Sequence, residues 1–238
     1  MPITTTPDHV AVAVPSIEEA AGRWRDELGG RWVGPPFPMP GPGFQTRQLR
    51  FAGGAKLELL EPMHADGFAA RFLDRYGARI HHVTLKVPAL LPALAQLEEE
   101  GIESVDVFAE GDLWHEAFLR PRQVGGLLVQ VAWSSRTDEE WTELTGGTVE
   151  PPAPDAARLL GPTLRHPDLE AAARVWSTLG AQVDREADGL LRVRWDDAPL
   201  DILIEQGEPA GPHDLRLAGG PALPADPTCY GPATIAAG

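Results

Sequence analysis

Apolar residues alternate with small or polar ones in a short run that occurs three times along the chain. Each run is followed by a proline and then by apolar residues at helical spacing, and each helical stretch ends at a glycine. The copies begin at His9 (HVAVAVPSIEEAAGRWRDELGG), His82 (HVTLKVPALLPALAQLEEEG) and Gly161 (GPTLRHPDLEAAARVWSTLGA). Alternation predicts a strand and spacings of three and four predict a helix. The chain is therefore predicted to repeat one structural unit.

The predicted helices carry start and stop signals. Ser16 followed by Glu19 has the spacing of a capping box, and Asp168 is the expected N-cap of the third copy. Gly29 and Gly180 stand where the first and third helices are expected to end. The apolar residues of the first helix fall on one face and are Ile17, Ala20, Ala21, Trp24 and Leu28.

Three further strand-like runs follow each predicted helix. They are residues 31–33, 44–51 and 56–60 in the first copy, 103–108, 114–119 and 127–132 in the second, and 182–185, 190–195 and 200–205 in the third. The repeated unit is thus β-α-β-β-β, and the predicted fold class is α+β.

The repeats set the expected domain boundaries. In chain order these are residues 1–134 for a pair of units (7–62 and 78–133), 135–157 for a polar, proline-rich linker, 158–220 for a third unit and 221–238 for a Pro/Ala-rich tail that we expect to be loop or disorder. A short helix is expected at residues 67–75, between the first two units.

The third copy differs at the positions that distinguish the other two. Gly161 stands where the first two copies have a histidine, and Ile202 stands where the first copy has Glu58. A fragment of a fourth copy is indicated after it, because HDLRLAG, which begins at His213, resembles the strand at His82. We expect the third unit to be structural, covering a sheet edge that one such unit leaves exposed.

Composition excludes several classes of protein. The 238 residues are 43% hydrophobic and carry a net charge of −15, which argues against nucleic acid as the main partner. No apolar stretch approaches the roughly 20 residues of a membrane span. The N-terminus shows no secretory signal, and the single Cys229 excludes a disulfide framework. A cytoplasmic protein is expected.

Four polar residues stand in apolar, strand-like runs. His9 and His82 open the first strands of their copies, whereas Glu58 and Gln130 lie in the last strands of theirs. A half-buried strand rarely carries such a side chain unless something satisfies it. Each residue taken alone is more often structural, but their equivalent placement in two copies favours one shared divalent metal ion. The mixed N/O set suits Co, Ni, Mn, Zn or Fe.

These segments resemble the vicinal-oxygen-chelate superfamily, which includes glyoxalases, bleomycin-resistance proteins and extradiol dioxygenases. The resemblance rests on DHVAVAV, KLELLEP, IHHVTLKV and GGLLVQV, and methylmalonyl-CoA epimerase-like members look most similar. It implies that two β-α-β-β-β units form a cupped mixed sheet around a metal. It also implies that His9, Glu58, His82 and Gln130 are the metal ligands.

The chain departs from the epimerase pattern in its acid and base groups. That pattern usually has Glu at position 130 and commonly Gln or Glu at position 58. Its acid/base Glu is expected on the run 44–51, where this chain offers Gln45, Thr46, Arg47 and Gln48, none of them a base at neutral pH.

The expected activity is that of a metal-dependent isomerase or lyase, methylmalonyl-CoA epimerase-like or glyoxalase I-like, acting through an enolate of a small oxygen-chelating substrate. Glu58 is the leading candidate for moving the proton, and His115 is the second. Arg47, Arg120 and Arg122 are candidates for binding a carboxylate or phosphate of the substrate.

Two other functions stay open at the level of sequence. An Fe(II)-dependent dioxygenase needs two histidines and one carboxylate, which are present in kind, but the family's dioxygenases have the carboxylate where this chain has Gln130. A ligand-sequestering protein of the bleomycin-resistance type is the third reading, and the intact metal set argues against it. The proline-rich stretch 34–43 is either a lid or a stiff surface connection. The resemblance also implies a homodimer, since lone units in this superfamily usually pair.

Overall fold

The structure is a computed structural model. It describes residues 1–39, 41, 43–148, 150–186 and 189–221, together with the backbone of residues 235 and 236. Cys229 and nearly all of the predicted tail lie outside the described residues, as do Pro40 and Pro42 of the proline-rich stretch.

The first two predicted units form the elements that the sequence pattern indicates. Their strands are β1 (Thr6–Ala13), β2 (Arg31–Trp32), β3 (Phe37–Met39), β4 (Phe44–Arg50), β5 (Lys56–Pro62), β6 (Arg79–Lys86), β7 (Ser104–Phe108), β8 (Trp114–Leu119) and β9 (Leu128–Ser134). Their helices are α1 (Ile17–Ala21), which continues as π-helix over Gly22–Glu27, α2 (Phe68–Tyr76) and α3 (Leu90–Glu99). A 3-10 turn spans Pro121–Gln123.

The later part of the chain adds another unit, a helix before it and two strands after it. Its elements are α4 (Asp138–Leu144), β10 (Arg158–His166), α5 (Leu169–Thr178), β11 (Gln182–Arg185), β12 (Leu190–Arg194), β13 (Ile202–Gln206), β14 (Gly211–Ala218) and β15 (Ile235–Ala236). Strands dominate throughout the described residues, so the predicted α+β class is confirmed.

The strand order of the first sheet displays the repeat. Among the described residues it runs β2-β4-β5-β1-β6-β9-β8-β7, with β3 paired to β4. The second half repeats the first half in mirror order, so the first strands of the two units, β1 and β6, are neighbours. Because the predicted histidines lie on these two strands, each as the fourth residue, the topology brings them to adjacent strands of one sheet.

The helix ends follow their capping signals. The hydroxyl of Ser16 accepts a hydrogen bond from the Glu19 amide at 3.3 Å, and the carboxylate of Asp168 accepts one from the Ala171 amide at 2.9 Å. Gly29 has a φ of 77°, the left-handed conformation that glycine adopts without strain after a helix. Trp24 is fully buried, edge-on to Phe51 with ring centroids 6.3 Å apart.

The second sheet holds the third unit and the fragment of a fourth. Its order is β11-β12-β13-β10-β14-β15, so β14 lies beside β10 as β6 lies beside β1. Gly161 on β10 has a φ of 125°, and a Cβ placed there would be 2.0 Å from the carbonyl oxygen of Asp201. The third unit therefore has no room for a histidine at the position equivalent to His9.

The predicted linker contains a helix that we did not expect. Helix α4 begins after Thr137, whose hydroxyl accepts from the Glu140 amide while the Glu140 carboxylate accepts from the Thr137 amide. This reciprocal capping box is visible in the sequence as Thr-x-x-Glu. The first helical residue, Asp138, accepts hydrogen bonds from Lys56 at 2.8 Å and from Arg50 at 3.0 Å.

Contacts between residues divide the chain into two compact units. One consists of residues 1–9, 82–135 and 161–214, and the other of residues 10–81, 136–160 and 215–238. The first contains the second and third repeats, and the second contains the first repeat with α4. The boundaries expected at residues 134 and 157 stay a prediction. No helix in the described residues is long and apolar enough to cross a membrane.

Candidate metal centre

The second repeat presents His82 and Gln130 on one face of the sheet. Strands β6 and β9 are parallel, with Thr84 opposite Gln130. Because alternate residues of a strand face the same side, His82, Thr84 and Gln130 share that face. All three are buried, and the Thr84 side chain is inaccessible to solvent.

His9 reaches the same cluster from β1. Its Nε2 lies 3.0 Å from the hydroxyl of Thr84, and its ring lies edge-on to His82 with centroids 5.7 Å apart. The Thr84 hydroxyl also lies 2.6 Å from Oε1 of Gln130. A hydroxyl has one hydrogen, so Thr84 can donate to His9 or to Gln130 but not to both at once.

Glu58 stands on β5, directly opposite Gln48 of β4. The Gln48 amide nitrogen donates to Oε2 of Glu58 at 3.1 Å. Glu58 is about as buried as Gln130, which is unusual for a carboxylate in a strand. On the same face, Lys56 precedes it and Leu60 follows it.

Ligand atoms of His9, Glu58 and His82 lie within 4.8 Å of one another. In the part of the chain that the structure describes, His, Cys, Asp and Glu side chains converge in this way at no other place. The structure thus brings together three of the four residues predicted from sequence, and Gln130 joins them through Thr84.

Asp8 holds the His9 ring through its Nδ1 nitrogen, a role that we did not predict from the sequence. Its Oδ2 lies 2.6 Å from Nδ1 of His9, and its Oδ1 lies 2.8 Å from the ammonium of Lys86. A carboxylate at Nδ1 keeps the proton on that nitrogen and directs the lone pair of Nε2 away from it. The Asp-His sequence is the only signal for this pair.

Glu116 is a second carboxylate near the cluster that we did not predict. Its Oε2 accepts a hydrogen bond from Gln130 at 2.7 Å and another from the indole of Trp114 at 2.8 Å. Glu116 lies opposite Ala132, two residues beyond Gln130 on β9, so the two side chains share a face. This register was not visible in the sequence.

His81 faces away from the cluster although it precedes His82. Its ring lies against Phe68 and Phe72 of α2, with centroids 5.7 and 4.8 Å away. Burial lowers the pKa of His81 to about 4. The neutral ring is therefore part of the apolar packing around α2.

The register puts His115 on the opposite face from Gln130. His115 pairs with Trp133, stacks on its ring at a centroid distance of 4.6 Å, and has Nε2 2.8 Å from the carbonyl oxygen of Gly111. The structure therefore does not bring this candidate to the cluster, because an odd offset along a strand reverses the face.

The arginines predicted to bind substrate are also not at the cluster. Arg47 lies opposite Leu59, on the face away from Glu58, and its guanidinium lies 4.1 Å above the Trp32 ring while donating to the Gly34 carbonyl at 3.1 Å. Burial lowers the pKa of Arg47. Arg120 and Arg122 are exposed at the turn after β8.

The residues of the cluster fit a divalent metal ion. Two imidazoles and a carboxylate, with an amide oxygen one hydrogen bond away, form the mixed N/O set that Co, Ni, Mn, Zn and Fe accept. The hydrogen bond that Nδ1 of His9 donates to the carboxylate of Asp8 is the support that metal-binding histidines usually have. The burial of the cluster residues also limits competition from water.

Comparison with known proteins gives matches over about half of the chain. A family model described as the Glyoxalase/Bleomycin resistance protein/Dioxygenase superfamily matches residues 8–118. Mitochondrial methylmalonyl-CoA epimerase of Bos taurus is 36% identical over 129 residues, which are 52% of this chain and 71% of that protein. Ethylmalonyl-CoA/methylmalonyl-CoA epimerase of Cereibacter sphaeroides is 34% identical over 131 residues, which are 52% of this chain and 94% of that protein.

A solved structure agrees with the sequence matches. The crystal structure of methylmalonyl-CoA epimerase from Mycobacterium tuberculosis superimposes with a TM-score of 0.52 at 24% identity, over 57% of this chain and 92% of that one. The chain therefore belongs to the glyoxalase, bleomycin-resistance and dioxygenase superfamily. The resemblance to its epimerase members, expected from the sequence motifs, is confirmed.

Proposed function

We propose that the chain is a metal-dependent epimerase of a 2-substituted malonyl thioester such as methylmalonyl-CoA. The observation that carries the proposal is the group of His9, Glu58 and His82, whose ligand atoms lie within 4.8 Å of one another. The group falls inside residues 8–118, which match the superfamily model, and the chain is similar to methylmalonyl-CoA epimerases over about half of its length. The metal ligands proposed are these three residues and Gln130.

A divalent ion at these residues would act as a Lewis acid on the substrate carbonyl, which makes the neighbouring C–H more acidic. Glu58 is the carboxylate of the group and is proposed to take that proton. Its hydrogen bond from Gln48 holds the carboxylate in place. Asp8 holds His9, and the Glu116–Gln130 bond holds the amide.

The test is solvent exchange at the substrate carbon. Methylmalonyl-CoA in D2O, followed by proton NMR, is expected to lose its α-proton signal in the presence of the Co²⁺-loaded chain. Removing the carboxylate from the proton-transfer step should cost about 100-fold or more in rate. Glu58→Gln is therefore expected to stop exchange while substrate binding persists.

Failures of this test separate the possible explanations. Full exchange by Glu58→Gln would remove Glu58 from its proposed role but keep the epimerase. No exchange by the wild-type chain with Co²⁺, Ni²⁺, Mn²⁺ or Zn²⁺ would overturn the epimerase. Parallel reactions with a thiohemiacetal, and oxygen uptake by an iron-loaded sample, then test the glyoxalase I-like and dioxygenase readings.

Two accompanying expectations stay predictions. The homodimer is tested by light scattering coupled to size-exclusion chromatography. A cytoplasmic location is tested by cell fractionation.

A further inference from the structure

We propose that Glu116 is a positioning residue that turns the amide oxygen of Gln130 toward the candidate metal centre. The inference deepens the proposed function and rests on it. Glu116 lies on β8, outside the four residues of the metal set, and acts through Gln130.

The contacts around Glu116 converge on one oxygen atom. Oε2 accepts from Gln130 Nε2 at 2.7 Å and from Trp114 Nε1 at 2.8 Å. The indole nitrogen is a donor only, so it fixes the place of that oxygen. Trp114, Glu116 and Gln130 lie on the same face of neighbouring strands β8 and β9.

The chemistry of the pair then decides the orientation of the amide. A glutamine side chain has nearly the same shape in both orientations, but one end donates and the other accepts. Nε2 of Gln130 donates to Oε2 of Glu116 at 2.7 Å, so the NH2 end of Gln130 faces Glu116. The oxygen end therefore faces Thr84, whose hydroxyl is 2.6 Å away and also lies 3.0 Å from Nε2 of His9.

The first repeat also contains an acid–amide pair, with the two residue types in the opposite order and at a different register: Gln48 is directly opposite Glu58, whereas Glu116 is diagonal to Gln130. There the last strand carries Glu58 and the preceding strand carries Gln48, which donates to it at 3.1 Å. In the second repeat the last strand carries Gln130 and the preceding strand carries Glu116. Each repeat thus places one oxygen ligand on its last strand and one partner that orients it.

The hydrogen bond to Glu116 explains why the residue at position 130 can be an amide. A glutamine without an acceptor beside it would present nitrogen or oxygen to the centre, and nitrogen of an amide is not a metal ligand. With Glu116 in place, the oxygen is presented in every copy of the protein. Loss of such a supporting contact typically weakens metal affinity about 10- to 100-fold.

The experiment is Co²⁺ titration by calorimetry, with the visible d–d spectrum recorded on the same samples. Glu116→Met fills the same volume without an acceptor and is expected to weaken Co²⁺ binding about 10- to 100-fold and to change the spectrum. Glu116→Gln, whose single amide oxygen accepts both hydrogen bonds, is expected to stay within about threefold of wild type. The control is Glu110→Met, at an exposed glutamate of the preceding loop, which should match wild type.

Two results would overturn the inference. One is wild-type affinity and spectrum in Glu116→Met; the other is an equal loss in Glu116→Gln, which would make the charge and not the acceptor responsible. If circular dichroism shows Glu116→Met to be unfolded, Trp114→Phe replaces it. That variant releases the anchored oxygen and is expected to lose affinity severalfold, so unchanged binding again overturns the inference. A wild-type chain that binds no Co²⁺ would instead overturn the proposed function on which it rests.

Discussion

Asp8 lies 2.6 Å from Nδ1 of His9 and is 8% exposed, with the ammonium of Lys86 on its other oxygen. A buried carboxylate between a cation and an imidazole is stable only where both partners are in place. Because Asp8 lies on β1 and Lys86 lies on β6, the direction of the His9 lone pair depends on how these two strands pack. They are the first strands of the first two repeats.

Removing Asp8 should weaken metal binding without removing a ligand. We expect Asp8→Ala to raise the Kd for Co²⁺ about 10- to 100-fold, because His9 loses the partner that fixes its tautomer and ring orientation. Asp8→Asn should lose less, since its amide oxygen still accepts from Nδ1. Calorimetry measures both, with the exposed Asp26→Ala as the control. Equal affinity of Asp8→Ala and wild type would show that the contact does not orient the ligand.

His115 provides the opposite case, a histidine that the register removes from the cluster. Because it stacks on Trp133 on the other face, His115→Ala should change the Kd for Co²⁺ by less than about twofold. His82→Ala should abolish binding in the same titration. A tenfold loss in His115→Ala would return His115 to the site and contradict the register argument.

Helix α4 should contribute to stability through one carboxylate. The Lys56 side chain is 6% exposed and meets Asp138, which Arg50 also contacts. Asp138→Ala leaves this ammonium buried without the carboxylate, so we expect a loss of about 2 kcal/mol in the free energy of unfolding, measured in urea. The neighbouring Glu139→Ala, at a side chain 65% exposed, should cost less than about 0.5 kcal/mol.

A double variant separates this ion pair from general effects of the helix. Lys56→Met together with Asp138→Ala removes both charges and should recover more than half of the lost stability. Failure to recover would mean that Asp138 stabilises the helix itself and not its contact with β5.

The cap of α5 should make the third repeat sensitive to acid. Hydrogen bonding from the Ala171 amide lowers the pKa of Asp168. A depressed pKa means that the stabilising contribution is complete above the unfolded value near 3.8 and disappears as the pH falls through the lower folded value. Asp168→Ala should therefore lower Tm by roughly 2–4 °C at neutral pH.

The same comparison at acidic pH checks the sign. As the pH falls below the unfolded value of 3.8 and through the lower folded value, the difference in Tm between wild type and Asp168→Ala should shrink, because the cap of wild type loses its charge. Asp168→Asn, which caps without ionising, should keep its advantage over Asp168→Ala at both pH values. A difference that grows in acid would contradict the direction of the pKa shift.

The sequence by itself determined the repeat, and with it most of the fold. Alternation in the runs at His9 and His82, and the capping residues Ser16 and Asp168, act locally, so they specify strands and helix ends without knowledge of the rest of the chain. The same repetition singled out four residues, of which His9, Glu58 and His82 come together. Repetition reveals them because equivalent positions in two copies become neighbours when the copies pair.

Only the tertiary structure decided which side chains share a face across strands. Alternation fixes the parity of residues within one strand, but a shift of register by one residue reverses the face of every side chain. The pairing of β8 with β9 therefore turned His115 away and brought Glu116 to Gln130, and the pairing of β4 with β5 turned Arg47 away and brought Gln48 to Glu58. Asp8 acquired Lys86, and Asp138 acquired Lys56 and Arg50, from strands distant in sequence, and such long-range contacts leave no periodic pattern in the chain.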